Sequence, residues 1–467
     1  MLSNTMTDTG NAERFRAVNA GKYLYLCGKG WLAWRGSHWQ GDERGSIIEA
    51  CKATARQFLA AAAQWIDDNG RSPVGAPKNL GECAEAWALK SHNFKPLCAM
   101  RDLAATMPEF ARIGTEMDGD PWLLATPSAT VNLQTGDLRD PDPQDLITAC
   151  TRADPTKAGS PLRWQEFLDE ILPDPALQDY VHRAVGMSLI GKQRDHVVLL
   201  CYGTGRNGKG TFFRALESAL GDYYATWPAE NLVEREHPPH ATSIAALAGK
   251  RMVVTSEVSK SRKIDEAKLK ELTGGDTIKA RFMRQDEFEF TPAHTLWICA
   301  NTKPRISGTD DGIWRRVRLI PFETKIPRES QDPTLDDTFA ANRNAILKWA
   351  LAGAADYVRF GLGTCAAVDA ATDAYRQEED LFGAMLADIC DVGSTLQTPK
   401  DDFRRAVGRW YEDRSYHAPN DRAIAAEMAN RGISATTQHP RQWIGIGLKA
   451  PAPSAAYAKT YHDKQEA

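Results

Sequence analysis

Long apolar runs are absent from this chain. No stretch approaches the roughly 18–20 residues a membrane-crossing helix needs, and the N-terminus lacks the basic-then-apolar pattern of a secretory signal. No membrane partner is expected. Metal-type cysteine spacing is also missing. The nine cysteines, among them Cys27, Cys83, Cys201 and Cys299, are scattered and include no C-x-x-C pair, so neither a zinc site nor a disulfide framework is favoured. They read as buried thiols of a protein in a reducing cytoplasm. There is no surplus of positive charge either, with 57 Lys and Arg against 61 Asp and Glu. That excludes a uniformly basic coat but not a local basic track, because nucleic-acid binding depends on where the cations cluster. What is present is ordinary for a soluble protein: 42% hydrophobic and 25% charged residues. The 467 residues have room for two or more domains, each with its own core.

One stretch stands out against that background. Residues 196–211, HVVLLCYGTGRNGKGT, run an apolar strand into a glycine-rich loop and a lysine, and Phe212 to Leu220 reads as a helix. The loop is Gly203, Thr204, Gly205, Arg206, Asn207, Gly208 and Lys209, continued by Gly210 and Thr211. Glycines let successive backbone N–H groups curl around phosphate oxygens. The helix N-terminus adds its positive dipole end, and the lysine reaches the β- and γ-phosphates. Strand, loop, lysine and helix in that order predict binding of a nucleoside triphosphate, ATP with Mg²⁺. A Ser or Thr usually follows the lysine and ligates the magnesium; here Gly210 follows it and the hydroxyl comes at Thr211. Either Thr211 or a water completes the magnesium shell, or nucleotide binding is weakened. A degenerate loop that hydrolyses nothing is the bland alternative.

Three more strands are legible downstream. Lys250 to Glu257 is an apolar run ending in an acid. Glu257 there can hold magnesium-bound water or activate the attacking water; Ser256 precedes it, so the pattern offers one acid. His294 to Asn301 ends in an amide, and Asn301 can hydrogen-bond the γ-phosphate as a sensor. Trp314, Arg315 and Arg316 precede the strand Val317 to Phe322. Phosphoryl transfer builds negative charge that an arginine from a neighbouring subunit can neutralise. One of Arg315 and Arg316 is the candidate, and the other is then a strand-edge arginine. Alternation on both sides of Met283 to Asp286 predicts a β-hairpin. Lys279 and Arg281 share one face and Arg284 lies near the tip, where they would grip the phosphates of a single strand. A solvated surface hairpin is the plainer alternative.

Elsewhere, residues 1–20 read as a mobile polar start, and Tyr23 to Trp34 as a hairpin turning at Gly28 to Gly30. Helical spacing covers 46–66, 80–91, 162–172, 175–190, 336–359 and 366–390, and Thr126 to Leu138 is a strand-turn unit. Asp118 and Asp120 are better explained by a turn than as metal ligands. In the C-terminal region Phe403, Val407, Trp410 and Tyr411 share one helical face. Ile424 and Met428 point inward from a second helix stopped by Gly432, and Ile444, Ile446 and Leu448 alternate as a strand.

This combination resembles the superfamily 3 helicases, and within them the helicase part of phage and plasmid primase-helicases, including the poxvirus-type replicative ATPases. The matching residues are Gly203 to Thr211, Leu247 to Arg251 leading to Ser256 and Glu257, Lys270 to Asp276 with Arg281, Asn301 to Pro304, Asp311 to Arg316, and Ile320 to Phe322. The likeness is strongest over about 195–325 and extends more loosely to Asn132–Leu138 and Trp164–Gly191. It implies an α/β protein with an AAA+ type P-loop ATPase core and parallel sheet at 191–327. A mainly helical α+β domain would precede it at 1–190, and a helical lid and linker would follow at 328–395. A winged-helix-like domain at 396–450 and a tail at 451–467 would complete the chain. It further implies Lys209 as the phosphate lysine, Glu257 as the Walker B acid, Asn301 as the sensor, and Arg315 or Arg316 as the finger. The family works as a hexameric ring moving 3′→5′ on single-stranded and forked DNA. No priming activity is expected, so a separate primase or initiator protein is the implied partner. Arg422, Arg431 and Arg441 would face DNA, with a protein-docking role for the C-terminal unit equally open. The leading expectation is an ATP-driven replicative helicase of a phage, prophage or plasmid. An origin-binding initiator whose ATPase controls assembly and a defence or regulatory ATPase are the alternatives.

Overall fold

A threonine cap sets the first helix. Thr7 accepts from the Gly10 amide at 3.1 Å and starts α1 (Asp8–Asn19), with Asp8 in the first turn. The polar start over residues 1–20 is therefore not mobile where it is described, because its polar side chains work inside the protein. Arg14, 1% exposed, lies over the Phe58 ring at 3.8 Å and donates to Thr5 O and Asn11 Oδ1, and Phe15 beside it is fully buried. The computed structural model describes residues 5–234, 241–255, 262–283, 287–306, 311–437, 439 and 441–449. It packs as two units that divide between Thr372 and Asp373.

In the first unit, β1 (Tyr23–Leu26), β2 (Gly30–Trp34) and β3 (Trp39–Gly41) form an antiparallel meander, turned at Gly28 and Gly30 with φ of 78° and 94°. The helices α2 (Ser46–Asn69), α3 (Leu80–Ser91) and α4 (Phe94–Ala104) follow, and β4 (Ala111–Arg112) pairs parallel to β1. The pattern showed α2 and α3 but not α4. Asp118 accepts from the Thr148 amide and hydroxyl, and Asp120 from the Trp122 amide, so both carboxylates tie loops together. A three-stranded sheet of β5 (Leu123–Ala125), β6 (Thr130–Asn132) and β7 (Leu138–Arg139) then leads to α5 (Leu162–Ile171) and α6 (Pro175–Met187).

Five parallel strands form the central sheet: β8 (Val198–Tyr202), β9 (Tyr224–Trp227), β10 (Met252–Thr255), β13 (Thr295–Ala300) and β14 (Val317–Pro321). Their spatial order is β14-β8-β13-β10-β9. Every residue of β10 is buried, as in a parallel strand covered on both faces. The helix α7 (Lys209–Leu220) follows β8 directly, and α8 (Ala241–Ala245) lies before β10. Between β10 and β13 come α9 (Glu266–Gly274) and a separate hairpin of β11 (Ile278–Arg281) and β12 (Glu287–Phe290). The helix α10 (Asp311–Trp314) precedes β14. The 336–359 pattern is two helices, α11 (Leu335–Ala341) and α12 (Arg343–Phe360), because Asn342 leaves helical geometry at φ −101°, ψ 19°.

The 366–390 pattern is likewise interrupted. The helix α13 (Ala366–Glu379) stops before Asp380, whose carboxylate accepts from the Gly383 amide and starts α14 (Leu381–Ile389). In the second unit β15 (Cys390–Pro399) pairs antiparallel with β16 (Gln442–Leu448) around α15 (Lys400–Asp413) and α16 (Asp421–Asn430). Phe382 and Met385 join Phe403, Val407, Trp410, Tyr411, Ile424 and Met428 in one core, so this unit begins upstream of residue 396. Along β16 the inward side chains are Trp443 and Ile446, and Ile444 is 36% exposed. The expected alternation of Ile444 with Ile446 fails because Gly445, at φ 93°, breaks the two-residue period between them.

Candidate functional site

Lys209 opens α7 directly after Gly208, whose φ of 77° is left-handed and which supplies no side-chain cap. The first amides of the helix are therefore left for another acceptor. Lys209 itself is only 3% exposed. Its ammonium donates to the Gly203 carbonyl at 2.8 Å, Asn207 Oδ1 at 3.0 Å and Asn301 Oδ1 at 3.3 Å. The buried ammonium keeps its full positive charge, and exchanging one of these neutral acceptors for an anion would convert that contact into a stronger, charge-paired hydrogen bond.

The loop that carries it is fixed from below. Asn207 donates from Nδ2 to the Phe322 carbonyl at 3.0 Å, and the Ile326 amide donates to the Arg206 carbonyl at 2.8 Å. A Cβ on Gly203 would lie 2.1 Å from Asn207 Nδ2 and 2.2 Å from Phe322 O, so only glycine fits there. By contrast, Gly205 has φ 93° and open space around it, and Thr204, Arg206 and Gly210 are exposed. The loop is thus packed on its protein side and open on the other, the form of a phosphate cradle.

The sheet brings Asn301 to this loop. Because Ala300 pairs with Tyr202, the ends of β13 and β8 lie side by side, and Asn301 follows one as Gly203 follows the other. Thr255 closes β10 in register with Ile298 on the far side of β13. Glu257 and Ser256 lie outside the described residues, as does Arg284.

Thr211 is not brought to the cradle. Two residues beyond Lys209 is a step of about 200° around the helix, and its hydroxyl accepts from Arg214 Nη2 at 3.1 Å. Arg214 in turn pairs with Asp336 at 2.9 Å. The hydroxyl therefore does not fit a magnesium ligand at the Lys209 site.

Arg315 and Arg316 sit at the opposite end of the sheet, since β14 begins in register with the start of β8. Arg316 stands level with the residue before β8 and Gly203 follows β8, six steps along the strand or about 20 Å. They differ in environment. Arg316 donates from Nη1 to the Gly312 carbonyl at 2.7 Å and its Nε is buried without a hydrogen bond, whereas Arg315 is exposed.

On the hairpin, Lys279 and Arg281 are both exposed and share a face, with Ile278 and Ala280 buried on the other. Their cross-strand partners are Glu289 and Glu287, and Lys279 lies 3.7 Å from Glu289. The exposed face is therefore charge-balanced rather than basic. Phe282 stacks on Phe288 at 5.1 Å, and the Lys29 ammonium lies 5.6 Å from each ring.

In the second unit Arg422 and Arg441 are exposed. Arg431 is not available in the same way. Its guanidinium pairs with Asp380 and Glu427 and covers the Phe382 ring at 5.1 Å, which makes it a structural tie. Sequence reading also gave no role to Arg251. It is 5% exposed, donates to Leu189 O and Leu123 O at 2.6 Å each, and lies 4.6 Å from the Tyr223 ring. It joins the sheet to β5 and to the turn after α6.

Residues 12–173 match the family model described as D5 N terminal like, and residues 201–316 match the Family of unknown function (DUF5906). "Putative helicase 184R" of Invertebrate iridescent virus 6 is 26% identical over 381 residues, covering 71% of this chain and 39% of that protein. "Putative helicase L207/L206" of Acanthamoeba polyphaga mimivirus is 29% identical over 230 residues, covering 48% and 24%. "Putative primase C962R" of African swine fever virus is 22% identical over 299 residues, covering 59% and 31%. The chain thus spans between a quarter and two-fifths of the length of these relatives. Among solved structures, the A form apo structure of the NrS-1 C-terminal region aligns with a TM-score of 0.53 at 11% identity, over 93% of this chain and 98% of that one. The two matched models, with these viral relatives named as helicases and primases, are consistent with the D5-type primase-helicases of superfamily 3 that the sequence resembles.

Proposed function

We propose that this chain is an ATP-driven DNA helicase motor with a P-loop ATPase core of the AAA+ type. One observation carries the reading: the buried Lys209 ammonium at the end of β8 reaches the Asn301 side chain at the end of β13. A triphosphate laid on the open side of the 203–208 loop would meet the Lys209 ammonium and the first amides of α7. Asn301, already an acceptor to that lysine, is placed to turn toward the terminal phosphate or its attacking water. Mg²⁺, when bound with ATP, would neutralise charge on the β- and γ-phosphates. Thr211 does not fit as its ligand, which leaves Glu257 and water as the expected shell.

The two ends of the sheet support a ring. Lys209 stands at one end, and Arg315 is exposed at the other, too far to serve its own loop. A neighbouring copy can bring Arg315 to that loop, where it would stabilise charge developing in transfer. Repeating that head-to-tail contact through a rotation that closes would give a ring, proposed as a hexamer. Movement 3′→5′ along single-stranded DNA, with the β11–β12 hairpin in the channel, completes the proposal. The C-terminal unit is read as winged-helix-like, with Arg422 and Arg441 facing DNA or a partner primase or initiator. The test is strand displacement on a forked DNA substrate with ATP. Single-strand-stimulated hydrolysis and unwinding are expected. Duplex-specific binding with hydrolysis but no displacement would favour an assembly-controlling initiator instead.

A further inference from the structure

The hairpin of β11 and β12 pairs only with itself among the described residues and adds no strand to the central sheet. Its position therefore depends on the buried face of β11, where Ile278 and Ala280 pack and α8 lies alongside, and on its two feet, the end of α9 and the start of β13. Both are held by the short segment that leads into β8. Gln193 donates from its side-chain amide to the Leu272 carbonyl at 2.5 Å and to the His294 carbonyl at 2.9 Å, one on each foot. His196 Nδ1 lies 2.9 Å from the Thr273 carbonyl, and its ring approaches within 3.3 Å of where a Cβ on Gly275 would stand. Gly275 is left-handed at φ 79°, and His196 is itself at φ 52°. A histidine with positive φ is uncommon and marks a conformation that its surroundings impose.

We infer that Gln193 and His196 are positioning residues that clamp the base of the hairpin to the strand carrying the nucleotide loop. The reading rests on the helicase proposal above. The segment 193–196 continues through Val197 into β8, and β8 ends at Tyr202, directly before Gly203. A shift of the loop that moves β8 is thereby transmitted to both feet of the hairpin through three hydrogen bonds. A contiguous element that both sites bias is one physical route for such coupling, and the three hydrogen bonds make this clamp the candidate for it. Gln193 touches neither nucleotide loop nor hairpin tip, so its effect is on the ratio between the two activities.

The test uses the full chain carrying Gln193→Met, which keeps the side-chain length and removes both donors. Amide hydrogen exchange is read first, because it does not depend on activity. Exchange over 278–281 and 287–290 should accelerate at least about tenfold, and that over 198–202 should stay unchanged. Basal ATP hydrolysis should remain within about twofold, and stimulation by single-stranded DNA and base pairs opened per ATP should fall by roughly fivefold or more, the usual scale of a site-to-site coupling. Gln193→Lys, which restores a donor of similar reach, should recover part of both. Unchanged hairpin exchange in Gln193→Met overturns the clamp. So does an equal loss of basal and stimulated hydrolysis, which would mean a merely structural role. If the unaltered protein neither hydrolyses ATP nor opens DNA, the helicase proposal fails, and altered exchange alone then shows the clamp without its function.

Discussion

The ammonium of Lys209 and the side-chain oxygen of Asn301 lie 3.3 Å apart, joining the ends of two adjacent parallel strands by a charge-assisted hydrogen bond. Lys209 is thus part of the packing as well as of the proposed chemistry. Lys209→Ala should abolish ATP hydrolysis and also lower stability by about 1–3 kcal/mol, since Gly203 O, Asn207 Oδ1 and Asn301 Oδ1 each lose a donor. Asn301→Ala should spare most of that stability and lower turnover more than nucleotide affinity. Thermal unfolding beside steady-state kinetics separates the two. Normal turnover in Lys209→Ala would remove the loop from the mechanism.

Magnesium binding can be probed at two adjacent positions. Thr211→Val should leave the magnesium dependence of hydrolysis unchanged, because that hydroxyl is engaged by Arg214. Gly210→Ser should tighten it severalfold, by placing a hydroxyl directly after the lysine. There is room for it: a Cβ on Gly210 would meet only the far end of the flexible Arg214 side chain, at 3.0 Å. Titration of Mg²⁺ against turnover reads both. A large loss with Thr211→Val would contradict the orientation seen here.

The two neighbouring arginines should behave differently. Arg315→Ala is expected to cut turnover with little change in nucleotide affinity or melting temperature, since the charge it meets develops in the transition state. Arg316→Ala should instead destabilise the protein through its lost bond to Gly312 O. Mixing Arg315→Ala with Lys209→Ala protein should restore some activity, because an intact lysine site can then receive an intact arginine. Absence of recovery despite proven co-assembly argues against action in trans.

His294 is fully buried, and desolvation pushes its pKa down to about 4 from the ordinary 6.5. Between those values the unfolded chain binds a proton that the native state does not, so native stability falls as pH drops from about 6.5 towards 4. Lys192, Arg194, Asp195 and His196 line the same cavity, so the measurement compares His294→Phe with the unaltered protein. That variant should lose a component of roughly 3 kcal/mol from the acid limb. Parallel stability curves for the two proteins would assign the acid sensitivity elsewhere.

Much of this fold is legible in the sequence where a local pattern sets it. The run Val198–Tyr202, the glycine loop and α7 are one such case, and the buried strands at 252–255, 295–300 and 317–321 are others. What the sequence hides is which polar residues are turned inward. Thr211 reads as a spare magnesium hydroxyl until Arg214 is seen to hold it, and Arg431 reads as a DNA contact until Asp380, 51 residues away, is seen beside it. Gln193 carries no motif at all, because its two acceptors are backbone carbonyls 79 and 101 residues distant. Helix breaks at Asn342 and Asp380 were likewise masked, since apolar spacing continues across both.

The hairpin offers a test in which removing negative charge, not positive, is the informative step. Lys279 and Arg281 stand opposite Glu289 and Glu287 on the exposed face. If that face contacts single-stranded DNA, the two carboxylates repel the same phosphates that the two cations attract. Glu287→Gln with Glu289→Gln should therefore tighten single-strand binding and free Lys279 from its partner. Lys279→Ala with Arg281→Ala should weaken it. Each phosphate contact on single-stranded DNA contributes about 0.7 to the slope of log affinity against log salt. The lysine and arginine variant should thus become shallower by up to about 1.4, and the glutamine variant should be no shallower than the unaltered protein. Basal hydrolysis should change little in either, because Lys209 and Asn301 are untouched. Equal slopes in all three proteins would place the DNA away from this face, and the stacked pair Phe282 and Phe288 would then be the next residues of the hairpin to alter.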